Sequence, residues 1–133
     1  MNTRDTFLKD FRGQAIGTVT QQSSSEESFQ NEVLRPILKL QNDLFLAVFS
    51  HYITKSKVDF YNFTIEKKLA FIEHAIQKDS KFRSVFKGMV LGLFTIDEYL
   101  EYTKNASNLN KRMMSMLIER FKSQVQLFEK SNQ

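Results

Sequence analysis

Five polar side chains fall on faces that are otherwise apolar when the chain is read at helical periodicity. Gln30, Gln41 and His51 lie in one long apolar run, Arg120 and Gln124 in another near the C-terminal end. Arg120 sits in the middle of a stripe shared with Leu109 and Leu127. A guanidinium in such a place must find acceptors, because burying an unpaired charge is costly. One chemistry that uses it is a clamp for an anion or a carboxylate in an internal polar pocket. The plainer alternative is a satisfied structural network, or a long stem that carries its charge out to solvent. His51, near the axis of its apolar arc, reads either as a hydrogen-bonded core histidine or as a general base or lone metal ligand. Gln41, His51, Arg120 and Gln124 therefore form a candidate ligand-binding set, on the condition that they converge on one cavity.

Other chemistries lack their residues. His74, the second of two histidines, falls on the polar side of its helix, and there is no Glu-x-x-His or His-Glu-x-x-His. A carboxylate-bridged metal pair needs two copies of the former. Zero cysteines exclude disulfides, thiolate zinc sites and cysteine nucleophiles. Neither G-x-x-x-x-G-K-[ST] nor G-x-G-x-x-G occurs, so no phosphate loop of those types is present and no cofactor is expected. Lys78, Lys81, Arg83 and Lys87 make the densest basic patch and are the candidate nucleic-acid contacts. They spread around the helical wheel instead of sharing one exposed face, and Phe82 and Phe86 beside them are at core spacing. Nucleic-acid binding is thus a lesser alternative, and it requires a steep salt dependence.

These side chains need helices to position them, and the sequence supplies helices almost throughout. The chain has 133 residues, 41% hydrophobic, with four Gly and one Pro, which fits one domain and leaves too few breakers for a β-sandwich. A short helix over 3–12 opens an N-terminal arm of residues 1–25, whose AIGTV piece could be extended. The domain proper is 26–133. Ser23-x-x-Glu26 and Ser24-x-x-Glu27 both fit a capping box before a long helix, about 26–54. Its stripes are Val33, Ile37, Leu40, Leu44, Val48 and Leu34, Leu38, Phe45, Phe49, Tyr52, with Pro36 predicted to kink or break it. A loop over 55–63 leads to helices at 65–78, 81–94, 96–104 and 108–130, with Thr64 and the Thr95-x-x-Glu98 box as caps. Gly88 and Gly92 suggest a close helix approach or a loose helix. Met113, Met114 and Met116 read as soft core filler. Met114, Ile118 and Val125 widen the last helix's apolar arc beyond what a short bundle helix needs, which motivates a homodimer.

The formal charge is +4, all of it in the second half: residues 64–133 carry twelve basic and eight acidic side chains, residues 1–63 seven of each. So mild a surplus bears on solubility and loose anion attraction, not on one partner. No signal-peptide or membrane-length apolar run occurs, so a cytoplasmic protein is expected.

The segments ILKLQNDLFLAVFSHYI, IQKDSKFRSVFKGMVLGLFT and LNKRMMSMLIERFKS resemble a group of small bacterial proteins of the marine Bacteroidetes type, often labelled glyoxalase by inheritance. The similarity runs from about Ile16 to Glu129. What it implies is a helical protein group without an established activity. The label itself does not follow from the residues: glyoxalase I-type domains use βαβββ units and bind metal through His and Glu on strands, and here both histidines fall on predicted helices. The expectation is an all-α fold, a bundle of four or five helices with an N-terminal arm. Its function is expected to be that of a non-catalytic binding or regulatory module acting through protein or small-ligand contacts, with a ligand-binding or enzymatic pocket around His51 and Arg120 as the alternative.

Overall fold

A computed structural model of the chain describes residues 2–13 and 24–128. Among them every regular element is helical. The order is α1 (Thr3–Arg12), α2 (Ser25–Phe29), a π-helical segment (Gln30–Leu34), α3 (Arg35–Leu40), α4 (Asn42–Ser56), α5 (Ile65–Lys78), α6 (Ser80–Leu91), α7 (Ile96–Thr103) and α8 (Ala106–Ser123), with 3₁₀ turns at Phe60–Asn62 and Val125–Leu127. The all-α expectation holds. The four- or five-helix count does not, because the expected first helix is divided and the elements are more numerous and shorter.

Starts are set locally. The Ser24, Thr64 and Asp79 side chains accept from the N–H three residues on, and Thr95 and Glu98 form a complete capping box. Ser23 and the AIGTV piece lie outside the described residues. Pro36 does not end its helix. The π turns that precede it already trade i→i+4 bonding for i→i+5, with the Arg35 N–H donating to the Gln30 carbonyl, so the donor that proline lacks is absorbed there. The interruption comes later, at Gln41, whose backbone sits at φ −88°, ψ 1° between α3 and α4.

That π segment and that turn rotate everything downstream relative to one continuous helix. Val33, Leu34, Ile37 and Leu38 are buried as expected, but on α4 the buried row is Phe45, Phe49 and Ile53. Leu44, assigned to the core stripe, is 51% exposed. The core is aromatic, and Phe49 is its hub: its ring lies 4.9 Å from Phe121, 5.2 Å from Phe128 and 5.6 Å from Phe82. α8 packs chiefly on α5 and also on the π segment, α6 and α7. Ile118 is buried, and Met114 and Val125 are partly buried against the same core. The surplus arc that motivated a dimer is therefore used within the chain. Gly88 and Gly92 mediate no close helix approach: a Cβ on Gly88 would meet nothing within 4 Å, and one on Gly92 would meet only the Gly88 carbonyl oxygen, at 3.2 Å.

α1 is held to the α6–α7 turn by polar contacts. Arg12 donates to both carboxylate oxygens of Glu98 at 2.5 and 2.6 Å and to the Leu93 carbonyl at 2.8 Å. Asp5, buried, accepts from the Ile96 N–H at the start of α7, and Arg4 donates to the Gly92 carbonyl at 2.8 Å. Phe7 and Phe11 stack on each other on the exposed side of α1.

Candidate functional site

Gln30 of the π segment, Arg35 and Leu38 of α3, the facing residues of α8 from Lys111 through Ser123, and Gln124 just past its end line a groove of about 720 Å³. That volume lies within the range of small-ligand pockets. Leu38 and Met116 supply apolar lining, and the polar groups come mostly from α8.

The basic residues here are of two kinds. Arg112 is paired: its Nε lies 3.3 Å from the Glu26 carboxylate, and its guanidinium also donates to the Gln30 side-chain oxygen at 2.8 Å. Glu26 accepts from Asn105 and Asn108 as well. These hydrogen bonds, Asn105 foremost, outweigh what burial opposes and hold its carboxyl below the usual carboxylate range. Arg35 and Arg120 are different. Arg35 Nε donates to the Asn31 side-chain oxygen at 2.8 Å, one helical turn back. Arg120 donates to the Asn42 side-chain oxygen at 3.3 Å. Asn42 is fixed in turn by Gln124, the two amides exchanging hydrogen bonds of 2.8 Å in each direction. Among the described residues neither Arg35 nor Arg120 pairs with a carboxylate.

An amide orients a guanidinium without cancelling its charge. The two arginines also feel each other: burial, and then the positive charge of Arg35, push the Arg120 guanidinium below its ordinary pKa. Arginine stays protonated nonetheless. The result is two oriented, like-charged forks with free N–H groups, which is what a carboxylate, sulfate or phosphate group needs from its site.

Of the four residues expected to converge, Arg120 and Gln124 are brought together, with Asn42 between them. Gln41 is not in the groove; its amide reaches the Met89 carbonyl at 3.4 Å. His51 is exposed and lines neither this groove nor the two others described below. The rotation introduced before α4 is the reason: the wheel that placed His51 on the core axis ran through Gln41 as if the helix were unbroken. The basic set separates too. Lys78 and Lys81 are exposed, and Arg83 turns back to donate to the Gln77 and Ile76 carbonyls at the end of α5, at 2.7 and 3.3 Å. Arg83 and Lys87 line a second groove, which shares Lys111 and Ser115 of α8 with the first. A third, between α2, α7 and the start of α8, is lined by Glu26, Asp97, Glu101 and Lys104.

Sequence reading missed Arg35, Asn31 and Asn42. The Asn31–Arg35 spacing of one helical turn was the available signal, since side chains four apart on a helix meet. Asn42 carried none, because its partners, Arg120 on α8 and Gln124 just past it, meet it only through the fold. Among the described residues no group of three or more His, Asp or Glu could hold a metal, and no helix is long and apolar enough to cross a membrane. No protein-family model, curated protein or solved structure matches the chain.

Proposed function

We propose that this chain is a non-catalytic binding module whose ligand is an anion held in the α3–α8 groove by Arg35 and Arg120. One observation carries the reading: both guanidiniums are positioned by amides, Asn31 and Asn42, where a structural ion pair would use carboxylates. The cost of placing two like charges together in a partly buried site is met in the bound state, when an anion bridges them. The groove lacks a histidine or a cysteine, and its one carboxylate, Glu119, stands beside arginines and a lysine. That set binds and orients; it does not assemble a nucleophile with its base.

A thermal-denaturation series at fixed ionic strength, exchanging chloride for phosphate, tests it. A ligand that prefers the native state raises its stability by RT ln(1 + [L]/Kd), about 2.7 kcal/mol at one hundred times Kd. The rise should saturate in the wild type and be lost in Arg35→Gln and Arg120→Gln. Phosphate also stabilises proteins by exclusion from their surface. An equal, non-saturating rise in all three proteins is that effect alone and contradicts the reading.

A further inference from the structure

The Arg35–Arg120 groove holds more than its two clamps, and the remaining residues say what the anion carries. Lys111 also lines it and has no carboxylate partner among the described residues, and Arg112 is neutralised by Glu26. Glu119 lines it with no hydrogen bond or ion pair among the described residues, and so does Ser115 with a free hydroxyl. Three unpaired cations and one unpaired carboxylate leave the groove with a surplus of two positive charges. A phosphomonoester brings about −1.5 to −2 at neutral pH and three acceptor oxygens, enough to bridge both guanidiniums at once. A carboxylate or a sulfate ester brings one charge.

The same inventory describes the rest of the ligand. A carboxylate inside a site for anions repels the anion, so its place there calls for donors on the ligand. Glu119 can accept hydroxyl hydrogens, and Ser115 can both donate and accept. No aromatic side chain lines the groove, so nothing offers a stacking surface to a nucleobase. The two apolar residues, Leu38 and Met116, suit a carbon skeleton and are too few for an acyl chain. We infer that the ligand is a phosphorylated polyol, a sugar phosphate in chemical class, with its phosphate on Arg35 and Arg120 and its hydroxyls toward Glu119 and Ser115. This inference rests on the anion-groove reading of the preceding section and adds to it the ester and the hydroxyls.

The test is isothermal titration of the full chain at constant ionic strength with four probes: a hexose 6-phosphate, the unphosphorylated hexose, inorganic phosphate and a single-stranded oligonucleotide. The hexose phosphate should bind at least tenfold more tightly than inorganic phosphate, and the free hexose should not bind measurably. Glu119→Ala, at an exposed position, should remove that tenfold advantage while inorganic phosphate binds as well as before or better, because a repelling charge is gone. Affinity for the hexose phosphate should rise between pH 5 and pH 7.5 as the ester loses its second proton near pH 6. Equal affinity for hexose phosphate and inorganic phosphate, in wild type and Glu119→Ala alike, overturns the polyol and leaves the anion groove standing. Tighter binding of the oligonucleotide overturns it in favour of a polymeric partner. Failure of inorganic phosphate and hexose phosphate alike overturns the groove reading with it.

Discussion

At the scale of single residues, the proposed anion site turns on two asparagines. An aspartate at Asn31 or Asn42 would make each arginine a structural ion pair; the amide keeps the geometry and leaves the charge available. Asn42→Asp should therefore trade binding for stability. The variant loses the amide's donation to Gln124 but gives Arg120 a charge-assisted bond, a net gain of about 1 kcal/mol. It should melt a few degrees higher and show no phosphate-dependent shift. A variant more stable than the wild type that has lost its ligand cannot be dismissed as misfolded. If Asn42→Asp keeps the full phosphate response, the charge on Arg120 is not what the ligand uses. Arg120 and Gln124 were legible in the sequence, because a polar residue within an apolar arc stands out on a helical wheel. Asn42 was not, because its role exists only once α4 meets α8, some 80 positions along the chain. His51 misled for the converse reason: its phase was read across a break.

At the scale of elements, capping chemistry was the most legible feature, since it acts within four residues of the helix it starts. The helix expected at 65–78 is α5, Ile65–Lys78, opened by Thr64 as expected. The π segment was illegible, because nothing in local propensity distinguishes i→i+5 from i→i+4 bonding when a proline follows. Its consequence is the rotation that exposes Leu44 and His51. The α1 latch gives a second prediction. Arg12 and Glu98 side chains are 5% and 13% exposed, so Arg12→Leu strands a carboxylate in a nearly dry place. The expected loss is about 3 kcal/mol, read as a lower urea midpoint. Burial opposes ionisation of Glu98, but the bonds from Arg12 and from the Thr95 backbone outweigh it and lower its pKa. Its stabilising contribution is therefore present above the unfolded carboxylate pKa of about 4.3 and is lost as pH falls through the lower folded value. Glu98→Gln should remove that acid limb from the stability profile; an unchanged limb assigns it to other carboxylates. Gly88 offers the opposite sign. It is exposed within α6, and a Cβ there meets nothing. Gly88→Ala should stabilise by about 0.5–1 kcal/mol, visible as a higher melting temperature.

At the scale of the whole molecule, a largely aromatic core ties α4 to α5, α6 and α8, the helix that carries Arg120. Phe49 touches rings from α5, α6, α8 and the C-terminal 3₁₀ turn region, namely Phe71, Phe82, Phe121 and Phe128. Phe49→Ala should cost about 4 kcal/mol, a large share of a typical domain's stability, with the urea midpoint as its measure. The all-α class was legible because composition and spacing are global properties that survive errors of phase. The division into more, shorter helices was not, because it depends on the π turns and on Gln41. The charge layout was half legible: a net +4 appears in the sequence, but not the gathering of Arg35 and Arg120 into one groove with only Glu119 as a carboxylate. Nitrogen–proton NMR of the arginine side chains during a phosphate titration probes the basic groove itself. The Nε–H signals of Arg35 and Arg120 should move together along one saturable curve while those of Arg4 and Arg83 stay put. Linear drift of all the arginines, or saturation at sites that exclude Arg35 and Arg120, would mean that the groove does not hold the anion.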